Sequence, residues 1–267
     1  MPAFRSTIRF PNESLTYRAE RDALLRAERD LRRQTERVAA LRRALPLGGQ
    51  VSEDYVFEEG PADPSALGIP RHVRLSELFS DGKDSLVIYN FMFGPDAKQA
   101  CPSCTMTLDS LDGAVLHASQ RINIAVVAKS PLSRVRDHAR TRGWRHLRLL
   151  SSADNTFNAD YHGETASGDQ MPMLSVFVRR NGRIHHAYSS ELLYAATDPG
   201  QDFRHADLIC PPWNLFDLTP DGRGTDWRPR LSYDQPVPQE IPQEIPQEIR
   251  VARRASPART LASQQAP

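Results

Sequence analysis

The chain has 267 residues, 39% of them hydrophobic, and 34 basic against 33 acidic side chains, for a formal net charge of +1. This length and composition can bury one core of ordinary size plus appendages, and so small a net charge supplies no field for nucleic acid or acidic partners. The longest nearly apolar run, Leu86 to Phe93, is far shorter than the roughly 20 residues of a membrane helix, and the stretch Met1-Pro2-Ala3-Phe4-Arg5-Ser6-Thr7 lacks the apolar core of a secretory signal, so the chain reads as soluble and cytoplasmic, with no membrane or nucleic-acid partner.

Residues 13 to 45 carry the first pattern. Asn12 and Ser14 are N-cap candidates, Pro46 and Gly48-Gly49 end the run, and the interior is rich in Ala, Leu, Arg and Glu. Leu24, Leu31, Val38 and Leu45 recur every seven residues, with Ala27 and Leu41 beside them, so one narrow stripe is apolar. Such a helical arm, residues 1–50, could pack on its own domain or pair with a second copy through residues 13–45. Its nine arginines between 18 and 43 interleave with six acids, the pattern of a solvated face. Tyr55-Val56-Phe57 then reads as a short strand before a loop rich in Gly and Pro. Val73-Arg74-Leu75, Ser76 to Phe79 and the turn Asp81-Gly82 lead into an apolar strand at 86–93.

That strand feeds a loop and then Cys101-Pro102-Ser103-Cys104, which opens a helical pattern through Met106, Leu108, Leu111, Val115 and Leu116 to about His117. With Cys101 at the N-cap, Pro102 falls on the first helical position, where its missing N–H costs nothing. The amides of Ser103 and Cys104 would then face the Cys101 sulfur, and with the helix dipole they favour its thiolate, lowering a pKa from about 8.5 toward about 3.5 to 7.5. Cys101 is the expected attacking sulfur and Cys104, one turn on, the resolving one. In a cytoplasmic protein a close pair of this kind is catalytic or metal-binding more often than a structural staple. A structural zinc site commonly takes two such pairs, and only Cys210 remains as a third cysteine. No metal and no organic cofactor is expected.

Ile122 to Ala128 is nearly all apolar, as a strand covered on both faces should be. Ser130-Pro131 starts a helix, Gly143 stops it, and a strand follows near Leu147 to Leu150. Alternating strands and helices predict a parallel α/β sheet. Asp154 to Gln170 is a polar excursion that returns at Met171-Pro172 and enters a strand from Met173 to Val178. Asn181-Gly182 is a hairpin turn leading to a second strand at 184–188. A helical stretch is expected near Glu191 to Ala196 and another segment from Phe203 to Leu218. Beyond Tyr233, Pro-Gln-Glu-Ile occurs three times, and a proline every fourth residue blocks a helix, so 234–267 reads as a disordered tail.

Several other residues have chemistry without a convincing pattern. Cys210 reads as a buried free thiol, and His205-x-Asp207-x-x-Cys210 lacks a common ligand spacing. His185 and His186 point to opposite faces of a strand, so one ion cannot easily use both. Gly222-Arg223-Gly224 lacks the strand and helix of a phosphate loop, and Trp144, Trp213 and Trp227 read as packing.

These pieces resemble the thioredoxin-like superfamily: a strand into Cys101-x-x-Cys104 on a helix, a second βα unit, then an X-Pro opening an antiparallel hairpin. In that superfamily the proline is cis and lies beside the redox pair. Met171-Pro172 looks like its counterpart, which implies that the Met171 backbone is free to pair with a substrate strand. The finer resemblance is to the family catalogued as domain of unknown function 899, labelled dithiol-disulfide oxidoreductase. It rests on Tyr55-Val56-Phe57-Glu58, Phe91-Met92-Phe93-Gly94-Pro95-Asp96, the cysteine run, Gly143-Trp144, Ser151-Ser152, Phe157-Asn158, Asp217 to Pro220 and Gly222-Arg223-Gly224, across residues 13–233. Thioredoxin's buried carboxylate has no certain equivalent; Asp96 is a candidate, or an exposed loop aspartate. A peroxiredoxin would show Thr three residues before its first Cys, where Lys98 stands.

The expected architecture is therefore a central mixed sheet flanked by helices over 51–233, with a long N-terminal helix and a disordered tail. The expected activity is thiol-disulfide exchange through Cys101 and Cys104, with Met171 and Pro172 meeting a disulfide-containing protein or small molecule and an external thiol reductant recycling the pair. A redox sensor without turnover, acting through the N-terminal arm, is the alternative, and a structural zinc clip is a third.

Overall fold

Residues 6–64, 66–80 and 82–233 are described by this computed structural model. The Pro-Gln-Glu-Ile repeats, expected to be disordered, lie outside them, as does Asp81 of the expected turn. The chain divides into two compact units, Met1–Gly48 and Gly49–Pro267. In the first, α1 spans Leu15–Ala44. Of the two cap candidates Ser14 takes the N-cap, its hydroxyl accepting from the Tyr17 amide at 3.0 Å, and no residue of the helix is buried.

The second unit is built on a seven-stranded sheet in the order β2-β1-β5-β4-β3-β6-β7. The strands are β1 (Val56–Glu59), β2 (Arg71–Arg74), β3 (Ser85–Asn90), β4 (Asn123–Ala128), β5 (Leu149–Ser151), β6 (Leu174–Arg180) and β7 (Arg183–Ser189). The helices are α2 (Pro102–Ala118), α3 (Leu132–Arg142), α4 (Phe157–Asp160) and α5 (Pro211–Asp217), with short 3₁₀ turns at Leu75–Leu78 and Glu191–Leu193. Strands β5, β4 and β3 run parallel, whereas β6 pairs antiparallel with β3 and β7 with β6. A helix follows β3 and another follows β4, so the arrangement is thioredoxin-like: a mixed sheet flanked by helices, with β1 and β2 extending one edge.

The central strands divide two cores by simple alternation. Tyr89 and Phe91, with Val126 and Ala128 of β4, face the cluster that α2 and α3 cover with Cys104, Leu108, Val135 and Ala139. Leu86, Ile88, Ala125 and Val127 face the opposite cluster, closed by Tyr55, Phe57, Leu75, Leu78 and Phe157. This is the burial on both faces that the run 122–128 predicts.

Local signals set the joints. Gly143 adopts φ +74° after α3, with its amide donating to the Arg140 carbonyl at 3.1 Å and that of Trp144 to the Ala139 carbonyl at 3.0 Å. Asn181 and Gly182 both take positive φ, 52° and 74°, as a two-residue hairpin turn requires. One expectation fails at the key strand. The β ladder of β3 stops at Asn90 rather than Phe93, because after Phe91 donates to the Val127 carbonyl the chain turns on itself, with the Phe93 amide bonded to the Phe91 carbonyl at 2.7 Å. The polar excursion holds α4, with Phe157 and Asn158 buried. The expected helix at 191–196 is only the 3₁₀ turn, and that at 203–218 reduces to α5.

The segment after β7 is closed by one arginine. Arg223 bonds Asp217 at 2.9 Å and Asp207 at 2.8 Å and lies over the Trp213 ring at 5.5 Å, while Trp213, Phe216 and Trp227 pack edge to face. The glycines around it adopt positive φ, so Gly222-Arg223-Gly224 serves this clamp. Its hydrogen bond from Arg223 holds the Asp217 carboxyl at about 2. A carboxyl depressed from about 3.9 stabilises the folded state above that value and loses the contribution as pH falls. Tryptophan emission should therefore change between about pH 4 and pH 2 in the wild type, and Asp217→Asn should remove that transition; identical titrations would contradict the clamp.

Candidate functional site

The two cysteines meet where the sheet gives way to α2. Cys101 is the N-cap residue, with φ −61° and ψ 123°, and Pro102 occupies the first helical turn. The Cys101 amide donates back to the Met92 carbonyl at 3.1 Å, while the Thr105 amide and hydroxyl both donate to the Cys101 carbonyl at 2.9 Å. The thiol is thus anchored through its own backbone from both sides. Cys101 is half-buried and Cys104 buried, neither is in a disulfide, and the two approach to 3.7 Å.

The expected bond from the first-turn amides to the Cys101 sulfur does not form, and that expectation is corrected. The group that acts on that sulfur is instead Cys104, which approaches to 3.7 Å. Burial pushes the Cys104 thiol well up from its ordinary range, and the contact with Cys101 adds to this. Bonds from the Tyr89 hydroxyl and the Met92 backbone act in the opposite direction. A raised Cys104 is a protonated donor facing Cys101, which favours negative charge on the outer sulfur.

Supporting groups come from residues that motif reading passes over. Arg134 of α3 reaches the carbonyl of Gly94 at 3.3 Å and also bonds those of Pro95 and Ala97, with its guanidinium 4.6 Å above the Phe93 ring. It fastens the loop that delivers Cys101. His138 bonds the Thr105 hydroxyl at 3.0 Å among Phe91, Phe93 and Trp144. Burial, and then the Arg142 charge, push the His138 imidazole below its usual value, so it serves as a neutral support. The Thr105 hydrogen is given to Cys101, which assigns the Nε2 proton to His138. The roles of Arg134 and His138 depend on tertiary placement and leave no local signal in the sequence.

Met171 and Pro172 lie at the same end of the sheet. Leu174 pairs with Tyr89, and the Asn90 amide bonds the Met173 carbonyl at 2.7 Å, which sets residues 171–173 beside the exit of β3. Two expectations are corrected there. No peptide bond among the described residues is cis, so the bond to Pro172 is trans. The Met171 backbone is not free, because its amide donates to the Gly163 carbonyl at 2.9 Å and its carbonyl accepts from the Met173 amide at 3.0 Å; the 161–171 excursion folds over it and leaves Met171 buried and Pro172 half-exposed.

The remaining candidates separate cleanly. Asp96 is exposed in the loop before Cys101. Cys210 is buried against the Thr107 hydroxyl, with its thiol pushed up by burial. Trp144 is buried, with its indole N–H on Asp109 at 2.7 Å. Among the described residues no three His, Cys, Asp or Glu side chains gather as a metal site, so the zinc clip finds no ligand set there. A hollow of about 370 Å³ lies between α2 and the 207–218 segment, lined by Leu111, Leu208, Ile209 and Leu215 and not by the cysteine pair. Among the described residues no helix is long and apolar enough to cross a membrane.

The chain belongs to the family described as bacterial protein of unknown function (DUF899), which matches residues 8–238. Among curated proteins no match was found. Similar solved structures include peroxidoxin BcpB from Mycobacterium tuberculosis, at 24% identity and TM-score 0.38, covering 62% of this chain and 94% of that one. The pneumococcal exposed lipoprotein thioredoxin of Streptococcus pneumoniae is 14% identical over 57% of this chain and 95% of its own, with TM-score 0.36. The mitochondrial 2-Cys peroxiredoxin of Plasmodium falciparum is 12% identical over 61% of this chain and 94% of its own, with TM-score 0.37.

The three thiols differ sharply in access, since Cys104 is 2% and Cys210 0% exposed. Iodoacetamide added to the reduced native protein should label Cys101 first, by at least about tenfold in rate, as thiolate availability and access dictate. Peptide mass spectrometry reads the order. Equal labelling of Cys104 or Cys210 would contradict the assignment of Cys101 as the outer sulfur.

Proposed function

We propose that the protein is a thiol-disulfide oxidoreductase in which Cys101 attacks and Cys104 resolves. The observation that carries this reading is the placement of a half-buried thiol at the N-cap of α2, 3.7 Å from a buried thiol one turn on. The Cys101 thiolate attacks one sulfur of a disulfide, forming a mixed disulfide and releasing the other half as a thiolate. Cys104 then attacks the Cys101 sulfur, the bond to the substrate breaks, and the Cys104 proton leaves with the departing thiol. The pair ends oxidised and the substrate reduced by two electrons; an external thiol reductant restores the pair. A cytoplasmic setting supplies such reductants.

Pro172, half-exposed beside the exit of β3, is the surface we assign to the substrate, with Met171 buried behind it. A disulfide presented by a protein segment or by a small molecule suits this open position.

The exposed stripe on α1 favours one addition. Leu24, Leu31 and Leu41 are 46%, 67% and 62% exposed, and a stripe repeating every seven residues is what two helices bury against each other. Pairing of two copies through residues 13–45 would place two redox sites in one particle and is the form a redox-sensing variant of this reading takes.

Reduction of oxidised glutathione, coupled to a dithiol reductant, should be lost in Cys101→Ser. Cys104→Ser should accumulate a glutathione adduct on Cys101 that mass spectrometry resolves. Undiminished turnover in Cys101→Ser would overturn the proposal.

A further inference from the structure

The hollow between α2 and the 207–218 segment lies further along α2 than the cysteine pair, and thiol exchange makes no use of it. Leu111 and Ala114 line its α2 side, and Leu208, Leu215 and Leu218 its other side. Those last three are 69%, 59% and 79% exposed. A single exposed leucine means little, but three around one concave apolar surface mark a place where another apolar group docks.

The described residues end close by, at Tyr233. Arg142 of α3 donates to the Leu231 carbonyl at 2.8 Å, lies 5.9 Å from the centre of the Tyr233 ring, and bonds Asp109 of α2 at 3.1 Å. The chain beyond Tyr233 therefore departs beside Asp109. At 3.6 residues per turn, Asp109 and Leu111 lie on opposite flanks of α2. Buried Leu108 and Val115 separate them on the core side, and exposed Gly113 and Ala114 on the outer side. Gly113 stands in the interior of α2, where glycine is destabilising relative to alanine, and a Cβ added to it would meet nothing within 4 Å. No contact among the described residues accounts for this glycine, and its bare backbone lets a second segment cross α2 closely.

We infer that the Pro-Gln-Glu-Ile tail of this same chain crosses α2 over Gly113 and Ala114 and seats an isoleucine, Ile241 being the first in reach, in the hollow. The steps from Tyr233 to Ile241 span up to about 26 Å, against a helix width of about 10–12 Å. Isoleucine is the one large apolar residue of the repeat, and it recurs at 241, 245 and 249. Proline fixes its own φ and pushes the residue before it toward extended backbone, so Ile241 and Ile245, which precede Pro242 and Pro246, lose little freedom on docking. A tether this short holds the anchor at an effective concentration in the millimolar range, so contacts too weak to hold a separate peptide still populate the docked form. Docking at this hollow is independent of thiol exchange at Cys101.

The test uses the full-length protein with a photoreactive diazirine side chain in place of exposed Leu215. Equal amounts of ordinary and ¹⁵N-labelled chains are mixed and irradiated, and peptide mass spectrometry locates the adducts. Adducts should join position 215 to residues 238–249 within one isotopic form. Replacing Ile241, Ile245 and Ile249 together by Ser should lower their yield at least about tenfold, the loss of a buried aliphatic anchor. Gly113→Gln, which blocks the crossing while favouring the helix, should lower it similarly with undiminished helical circular dichroism. Wild-type yield in either variant overturns the inference, as does the absence of adducts to 238–249. Adducts that join the two isotopic forms would assign the hollow to a second copy, and adducts to residues 13–45 would assign it to α1; either overturns it too.

Discussion

The site depends on how strand β3 ends. Its alternation sends Leu86 and Ile88 into one core and Tyr89 and Phe91 into the other, so the chain is still wedged between two apolar layers when its ladder stops at Asn90. A buried segment that leaves a sheet must place its backbone groups elsewhere. Here the Met92 carbonyl takes the Cys101 amide, and the loop between them is fastened by Arg134. That single return bond sets the first turn of α2 over the end of the sheet, with one thiol facing outward and the next buried under it.

Burial then divides the labour between two chemically identical groups. Cys101, at a cap with access to solvent, has the surroundings that favour a thiolate. Cys104 sits among Tyr89, Leu108 and Ala128, where desolvation favours its protonated form. The polar neighbours of this turn are neutral. Thr105, Thr107 and His138 supply oriented hydrogen bonds along the first turns of α2 in a largely dry interior, where a full charge would be costly to hold.

Much of this was legible in the residue order because the signals are local. The Cys-Pro start of α2, the Gly143 stop and the Asn181-Gly182 turn each follow from the backbone freedom of one or two residues. The doubly covered strand 123–128 announced itself by composition. What escaped was nonlocal. Nothing within a few residues of Phe91 says that its strand ends early, since the cause is a turn made against Val127 on the next strand. The Met171 backbone looked free because its partner, Gly163, arrives through a polar excursion with no periodicity to read. Thr107 and Cys210 are distant in sequence and meet only because the segment after β7 returns along α2, held by Arg223.

The proposed reactivity of the outer sulfur comes from its place at the N-cap of α2 over a buried, protonated Cys104. The direct test is the pH dependence of Cys101 alkylation in the reduced native protein, followed at that peptide by mass spectrometry. The account predicts half-maximal reactivity below about pH 7.5, in the range of thiols at helix N-termini. A midpoint at or above about 8.5, the value of an unperturbed cysteine, would contradict it.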